Sequence, residues 1–555
     1  MHNSVSVALA GSGGAGVMTA GNMLLEAAAG AGYYGLMTRT SGPQIRGGEA
    51  AAMVRVSTFP TDAQDDRFDV LAAIDWLNVQ RFSAELPLGA GSIVIGDPAQ
   101  GEPPDVFLRS GARHAPVPLK KLAAEVEGGW PNMVALGLLA GMIGLDWAPL
   151  DTAIRKSMKK GLEAGLAAAR IGFSQAPSLP NFPLDNPGLK TARWLITGNE
   201  AAGYGALRGG VRFVAAYPIT PATELLEWLS PALAKVGGTL VQAEDELASI
   251  NMALGASFGG VPSLTATSGP GLSLMIESLG LGVAAEVPVV VVDVMRTGPS
   301  TGIATKSEQA DLNLALYGLH GDAPHIVVAP NSLADCVAAT EWAVGLAESL
   351  QVPAIVLSDQ YFGQARAVVD VPSSKPTGLR RLVCEAPGEG YKRYALAPSG
   401  ISPMAIPGTP GAAYVADGLE HNERGTPSSQ AGDHLAQMDK RARKLAALDP
   451  GDRWASVEGE GETAVLTFGS CTGPVREALV GKSVKLVSLR LLSPAQPERL
   501  KKALEGVKRV LVVEQNHSGQ FLRYLRAEYG LPGEVKSLRR PGPLPFRPEE
   551  IEKAL

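Results

Sequence analysis

Between Val211 and Val294 one pattern recurs: a short apolar run, a turn of small residues, then an apolar stretch of helical length. The apolar runs are Val211 to Ala216, Thr239 to Ala243, Ser263 to Thr267 and Pro288 to Val294. The helical stretches start at Pro221 and span Glu246 to Phe258 and Gly271 to Ala285. Strands that alternate with helices pair in parallel through crossover connections, so this region predicts a parallel sheet with its loops gathered at the carboxyl edge.

The chain opens in the same way. Val5 to Ala10 leads into Gly11-Ser12-Gly13-Gly14-Ala15-Gly16 and then an Ala/Leu-rich helical stretch. Further strands over Ala51 to Ser57, Val70 to Ile74 and Ser92 to Gly96, with helical patterns over Met133 to Ile143 and Leu150 to Ala168, predict an α/β domain over residues 1–175. A Pro-rich linker follows at 176–188, and the parallel-sheet domain is expected over 189–375. Residues 376–460, dense in Gly, Pro, Ser and charge with a basic helix near Met438 to Leu448, read as a connector. Thr463 to Thr467, Val484 to Leu489 and Val510 to Val513 predict a last α/β domain over 461–555. The expected fold class is therefore multidomain α/β.

With 555 residues, of which 45% are hydrophobic and 19% charged, the chain has material for several cores. A net charge of −6 without a Lys/Arg block leaves no electrostatic footprint for nucleic acid. The longest apolar stretches, Met133 to Leu145 and Val287 to Met295, are too short to span a bilayer, and the start of the chain lacks a signal-peptide layout. No membrane contact and a cytoplasmic location are expected. Cys336, Cys384 and Cys471 are the only cysteines and lie far apart, so no metal site is expected in this chain, and an iron-sulfur cluster would belong to another polypeptide.

Four loops carry candidate chemistry. In Tyr217-Pro218-Ile219-Thr220-Pro221, Thr220 is placed as a helix N-cap with Pro221 at the first helical position, a terminus suited to an oxyanion. Glu244-Asp245-Glu246 sets carboxylates where a strand meets a helix, although acidic residues there also serve as dipole partners. Thr267-Ser268-Gly269-Pro270-Gly271 is a generic small-residue turn. Arg296-Thr297-Gly298-Pro299-Ser300-Thr301-Gly302, with Thr305 and Lys306 beyond, offers a guanidinium for two-point carboxylate capture, or a solvated surface arginine.

Together these loops resemble the alpha subunit of thiamine-diphosphate-dependent 2-oxoacid:ferredoxin oxidoreductases, most closely the 2-oxoglutarate type. Glu514-Gln515-Asn516, followed by Ser518-Gly519-Gln520, completes the resemblance, which runs over nearly the whole chain. The first domain, with its glycine loop, Ser41-Gly42-Pro43-Gln44-Ile45-Arg46-Gly47-Gly48 and Met53 to Ser57, is similar to the family's gamma subunit fused ahead of alpha.

The resemblance implies a pyrimidine-binding-type domain for thiamine diphosphate over 189–375 and a transketolase-C-like domain over 461–555. It implies Glu246 as the carboxylate at the cofactor's pyrimidine, nine residues before Gly255, with Tyr217, Pro218, Ile219 and Gly269 around the cofactor. Thr220 would contact the 2-oxo group, and Arg296 with Thr305 would bind the substrate carboxylate. Gly13, Gly14, Gly16 and Arg46 would hold CoA; an NAD site is disfavoured, because residues 30–38 lack the acidic ribose-binding residue.

No Gly-Asp-Gly occurs in the chain, so a beta subunit is expected to supply Mg²⁺, the diphosphate half-site and the [4Fe-4S] cluster, and to pass electrons to ferredoxin within an (αβ)2 heterotetramer. The implied reaction converts 2-oxoglutarate and CoA to succinyl-CoA and CO2, with reductive carboxylation as its reverse. Pyruvate or a branched-chain 2-oxoacid is the alternative substrate, and a non-catalytic scaffold is the alternative of another class.

Overall fold

The computed structural model describes residues 2–42, 48–188, 191–373 and 375–555. The chain forms two compact units. The first comprises Met1–Thr197, Gln364–Val371 and Arg547–Glu550; the second comprises Gly198–Gly363, Pro372–Phe546 and Ile551–Leu555.

The first unit is built on an eight-stranded mixed sheet. Its order is Arg113–Pro116, Ile93–Gly96, Val70–Ala73, Ser4–Ser12, Glu49–Ser57, Tyr34–Ser41, Arg366–Asp370 and Arg193–Thr197. The first four strands pair in parallel and the others antiparallel. The strand Tyr34–Ser41 occupies the region inspected above for a ribose-binding acid. The stretch expected as one helix over Leu150 to Ala168 is instead two, Trp147–Ser157 and Leu162–Gln175, the second entered through Gly161 at φ 64°. A left-handed residue cannot continue a right-handed helix, so the chain turns there. The helix Pro131–Met142 is buried on nearly every side, Leu136, Leu138 and Leu139 being fully covered. Each such leucine contributes roughly 1.5–3 kcal/mol of transfer free energy.

The second unit holds two sheets. The seven-stranded one runs Leu491–Ser493, Ile326–Val328, Ala354–Asp359, Val290–Met295, Ser263–Thr267, Phe213–Ala216 and Thr239–Gln242, parallel except for the first strand. The helix Glu246–Phe258 has the bounds read from the sequence, because Asp245 is extended and its side chain caps Ala248 N at 2.6 Å. The five-stranded sheet runs Ala455–Glu458, Val484–Leu489, Thr463–Phe468, Arg509–Glu514 and Glu534–Arg539, parallel except for its first strand.

Residues 376–430 carry no regular element, yet this stretch and the helix that follows it are anchored by charge. Lys440 and Lys444 of the helix Ala431–Ala446 reach the fully buried Glu286 at 2.5 and 2.6 Å, and Arg393 donates to the Glu286 carbonyl at 2.8 Å. Burial alone raises the Glu286 pKa, but Lys444, Lys440 and Arg393 outweigh it and hold the carboxyl at about 2. Burial, opposed by Glu286, brings Lys440 down to about 8. No helix among the described residues is long and apolar enough to cross a membrane.

Candidate active site at the carboxyl edge of the seven-stranded sheet

Parallel pairing brings the ends of Phe213–Ala216, Ser263–Thr267 and Val290–Met295 to one edge. After the first of these, the N–H groups of Ala222 and Thr223 both donate to Ile219 O, at 2.8 and 3.1 Å, closing a turn. The next helix starts at Thr223 with Ala222 as its N-cap, so the expectation that Thr220 caps it and Pro221 opens it is corrected. Thr220 is exposed within the turn, and it is the residue's carbonyl that is engaged, accepting from Arg296 Nη1 at 2.5 Å. Tyr217 is exposed, and Pro218 and Ile219 are half-buried.

Glu244 and Asp245 face solvent, whereas Glu246 is 7% exposed. The Glu246 carboxyl lies against the N-terminus of the helix Gly269–Ala284. A Cβ added at Gly271 would come within 2.8 Å of Glu246 Oε1 and 2.0 Å of Thr267 Oγ1, so only glycine admits this carboxyl.

Beside it opens a cavity of about 750 Å³, lined by Gly269, Arg296, Glu308, Asp311, His517 and Gln520 among others. Arg296 is 7% exposed, which excludes a solvated surface arginine, and its buried Nε has no hydrogen-bond partner. Thr305 is half-buried in the loop that the Thr297 N to Lys306 O bond closes at 3.0 Å, and it does not line the cavity.

The segment 307–311 is held by Gln309, whose N–H donates to Gln515 O at 2.8 Å and whose side chain donates to Phe468 O at 2.7 Å and accepts from Gln515 N at 2.8 Å. The terminal motif is largely scaffold. Glu514 accepts from Phe521 N and Leu522 N, and Asn516 accepts from Gly519 N and Gln520 N, which shapes the loop that faces the cavity.

Three acidic residues here went unread in the sequence. Asp293 is fully buried with neither carboxylate oxygen bonded. Its pKa is raised well above the carboxylate range by burial and by Asp311. Burial, reinforced by Glu308 and opposed by Arg296, pushes Asp311 up to about 7. Glu308 is raised by burial, against a backbone hydrogen bond from Gly542 and the proximity of His517. A lone acid inside the valine run 290–294 is the one signal that pointed here.

In the first unit the glycine loop leads into the helix Val17–Ala31, with Gly14 and Gly16 at φ 96° and 78°. Asp75 accepts from Ser12 N, Ser12 Oγ and Leu77 N, while Gly13 N and Ala15 N donate to Gly48 O and Ser12 O. The loop thus spends several of its donors internally. Arg46 and the stretch Pro43 to Gly47 lie outside the described residues. Among the described residues no group of three or more His, Cys, Asp or Glu is arranged to hold a metal ion.

The family model described as pyruvate flavodoxin/ferredoxin oxidoreductase, thiamine diP-bdg, matches residues 204–440, and that of pyruvate ferredoxin/flavodoxin oxidoreductase matches residues 6–175. The chain is 32% identical to the 2-oxoglutarate oxidoreductase subunit KorA of Mycobacterium tuberculosis over 99% of its own length and 90% of that protein. It is 34% identical to the 2-oxoglutarate synthase subunit KorA of Methanothermobacter marburgensis, but there 98% of the relative corresponds to only 65% of the chain, so the chain carries additional sequence. The solved 2-oxoglutarate:ferredoxin oxidoreductase from Magnetococcus marinus, with 2-oxoglutarate, coenzyme A and succinyl-CoA bound, superposes with a TM-score of 0.92 at 36% identity, covering 100% of the chain and 99% of its own. Likeness of this extent at this identity shows more than a shared fold: the chain belongs to the 2-oxoacid:ferredoxin oxidoreductases, as an alpha subunit.

Proposed function

We propose that this subunit serves the oxidative decarboxylation of 2-oxoglutarate, with CoA as acyl acceptor and ferredoxin as electron acceptor. The observation that carries the reading is the buried Arg296 at the mouth of the cavity, its Nη1 tied to Thr220 O and its Nε unpaired. That leaves the Nε and Nη2 edge for a carboxylate, the geometry of a two-point charge-assisted contact. Thr220 lies beside this contact, and Thr305 supports its loop. The 36% identity to an enzyme solved with 2-oxoglutarate bound favours that substrate over pyruvate or a branched-chain 2-oxoacid.

The residues present fit the pyrimidine half of thiamine diphosphate. Glu246 is a single buried carboxyl in a cradle that any side chain at Gly271 would fill. When bound, thiamine diphosphate supplies the electron sink for decarboxylation. Glu246 then holds a proton at the pyrimidine ring nitrogen, and Tyr217, Pro218, Ile219 and Gly269 shape the wall around it.

The sequence has no Gly-Asp-Gly, and its three cysteines cannot ligate a four-iron cluster. The diphosphate, Mg²⁺ and [4Fe-4S] therefore fall to a beta subunit, which also meets ferredoxin. The exposed Leu247, Met252 and Leu274, on the two helices flanking Glu246, support a partner surface there. CoA is proposed to approach the glycine loop at Gly13, Gly14 and Gly16, and the working assembly is an (αβ)2 heterotetramer in the cytoplasm. The buried Glu246 and Arg296 disfavour a scaffold that has lost catalysis. Turnover of the assembled complex with a panel of 2-oxoacids, CoA and a viologen dye tests the reading. Preference for 2-oxoglutarate supports it; preference for pyruvate reassigns the substrate.

A further inference from the structure

Asp311 occupies the N-cap position of the helix Leu312–Tyr317, yet its side chain makes no capping bond. An aspartate there ordinarily accepts from the N–H two or three residues on. Here Gln520 takes that place: its Oε1 accepts from Asn313 N at 2.8 Å, and its Nε2 donates to Ala310 O at 2.8 Å. Released from capping, the Asp311 carboxyl turns to Gly269, where an added Cβ would sit 2.5 Å from Oδ1 and 2.7 Å from Oδ2. Asp311 Oδ2 is buried without a partner, as is Arg296 Nε, and both residues line the same cavity. A buried carboxyl that forgoes an available backbone donor is held in readiness for another partner.

We propose that Asp311 is the positioning residue that balances Arg296: it shares the guanidinium's charge while the cavity is empty and takes up a proton when a substrate carboxylate engages that guanidinium. This rests on the reading that Arg296 binds the 2-oxoacid carboxylate. The groups facing Asp311 define the exchange. Arg296, at the end of the strand Val290–Met295, supplies the one guanidinium among the cavity-lining residues. Glu308, on the same segment, and the buried Asp293 oppose a second negative charge. His517 faces Glu308 from the loop after the strand Arg509–Glu514. The helix Gly269–Ala284 contributes no charged side chain to the cavity. With Asp311 near the middle of its titration at neutral pH, an arriving carboxylate completes the protonation.

The test is the pH dependence of KM and kcat for 2-oxoglutarate in the assembled complex, in wild type, Asp311→Asn, Asp311→Glu and Arg296→Ala. In wild type, KM is expected to rise above pH 7, approaching about tenfold per pH unit, the limit for one linked proton, with no matching limb in kcat. Asp311→Asn loses that limb, and Asp311→Glu restores it at a displaced pH, which a merely structural role would not produce. A limb that survives in Asp311→Asn overturns the proposal, as does the absence of a limb in wild type. If Asp311→Asn does not assemble, the Asp311→Glu profile decides: an undisplaced limb refutes the proposal. Wild-type KM in Arg296→Ala overturns instead the underlying assignment of the substrate arginine.

Discussion

Arg296 Nη1 donates to the backbone carbonyl of Thr220 at 2.5 Å, joining the loop after one strand of the parallel sheet to the loop after another. The bond fixes the guanidinium without consuming the edge that carries Nε, and that atom is buried and unpaired. Arg296→Ala is expected to raise KM for 2-oxoglutarate by the equivalent of roughly 2–5 kcal/mol, the cost of leaving a desolvated carboxylate unpaired. Arg296→Lys is expected to be impaired as well, since an ammonium cannot reproduce a planar two-point contact. A smaller effect on pyruvate than on 2-oxoglutarate assigns Arg296 to the distal carboxylate, and an equal effect assigns it to the shared one. Steady-state kinetics with both substrates is the measurement.

Glu246→Gln keeps the shape of the buried side chain but cannot share a proton. Exchange of the cofactor's C2 proton, followed by NMR, is expected to slow strongly while the complex still assembles. Glu244→Gln, at an exposed position two residues earlier, is expected to leave the exchange rate unchanged. The reverse outcome moves the role to Glu244.

The chain purified without its partner is expected to show no oxidative decarboxylation even with thiamine diphosphate and Mg²⁺, and no stoichiometric iron or acid-labile sulfide. Both should appear on assembly. Activity or stoichiometric cluster in the isolated chain would falsify the division of labour drawn from the missing Gly-Asp-Gly and the three scattered cysteines.

Replacing Gly14 tests the glycine loop. Its φ of 96° strains any side chain, although nothing lies within 4 Å of an added Cβ. Gly14→Ala is expected to raise KM for CoA while sparing decarboxylation measured without CoA. Unchanged dependence on CoA returns the loop to a structural role.

Glu286→Gln removes the one carboxylate among Lys440, Lys444 and Arg393 and is expected to cost about 3–5 kcal/mol, the usual penalty for orphaning buried charge. Lys444→Met, which leaves Lys440 to balance the carboxylate, is expected to cost less. Because the Glu286 pKa is lowered from 4.5 to about 2 by folding, its contribution is fully present above about pH 4.5 and is lost as pH falls toward 2. Thermal unfolding of wild type and variants across that window measures it.

The strand and helix periodicities between Val211 and Val294 are properties of neighbouring residues, and so the parallel sheet and the helix Glu246–Phe258 were legible in the chain itself. Arg296 and Glu246 were legible for a related reason, since each directly follows a strand and the carboxyl edge of a parallel sheet is where such loops meet. The choice of Glu246 over Glu244 has its counterpart in the burial of the first and the exposure of the second. The Thr220 cap was misread because a turn closing on Ile219 O competes locally with a helix start, and the order Thr-Pro fits both. Asp311 was invisible for the opposite reason. Its release from capping depends on Gln520, 209 residues along the chain, and its raised pKa on Glu308 and on burial that only the packed unit creates. The same holds for Glu286, whose two lysines arrive from a helix in a segment read as a loose connector. Backbone patterning is local and travels with the sequence, whereas desolvation and charge pairing depend on what the fold brings near and had to be read from the tertiary structure.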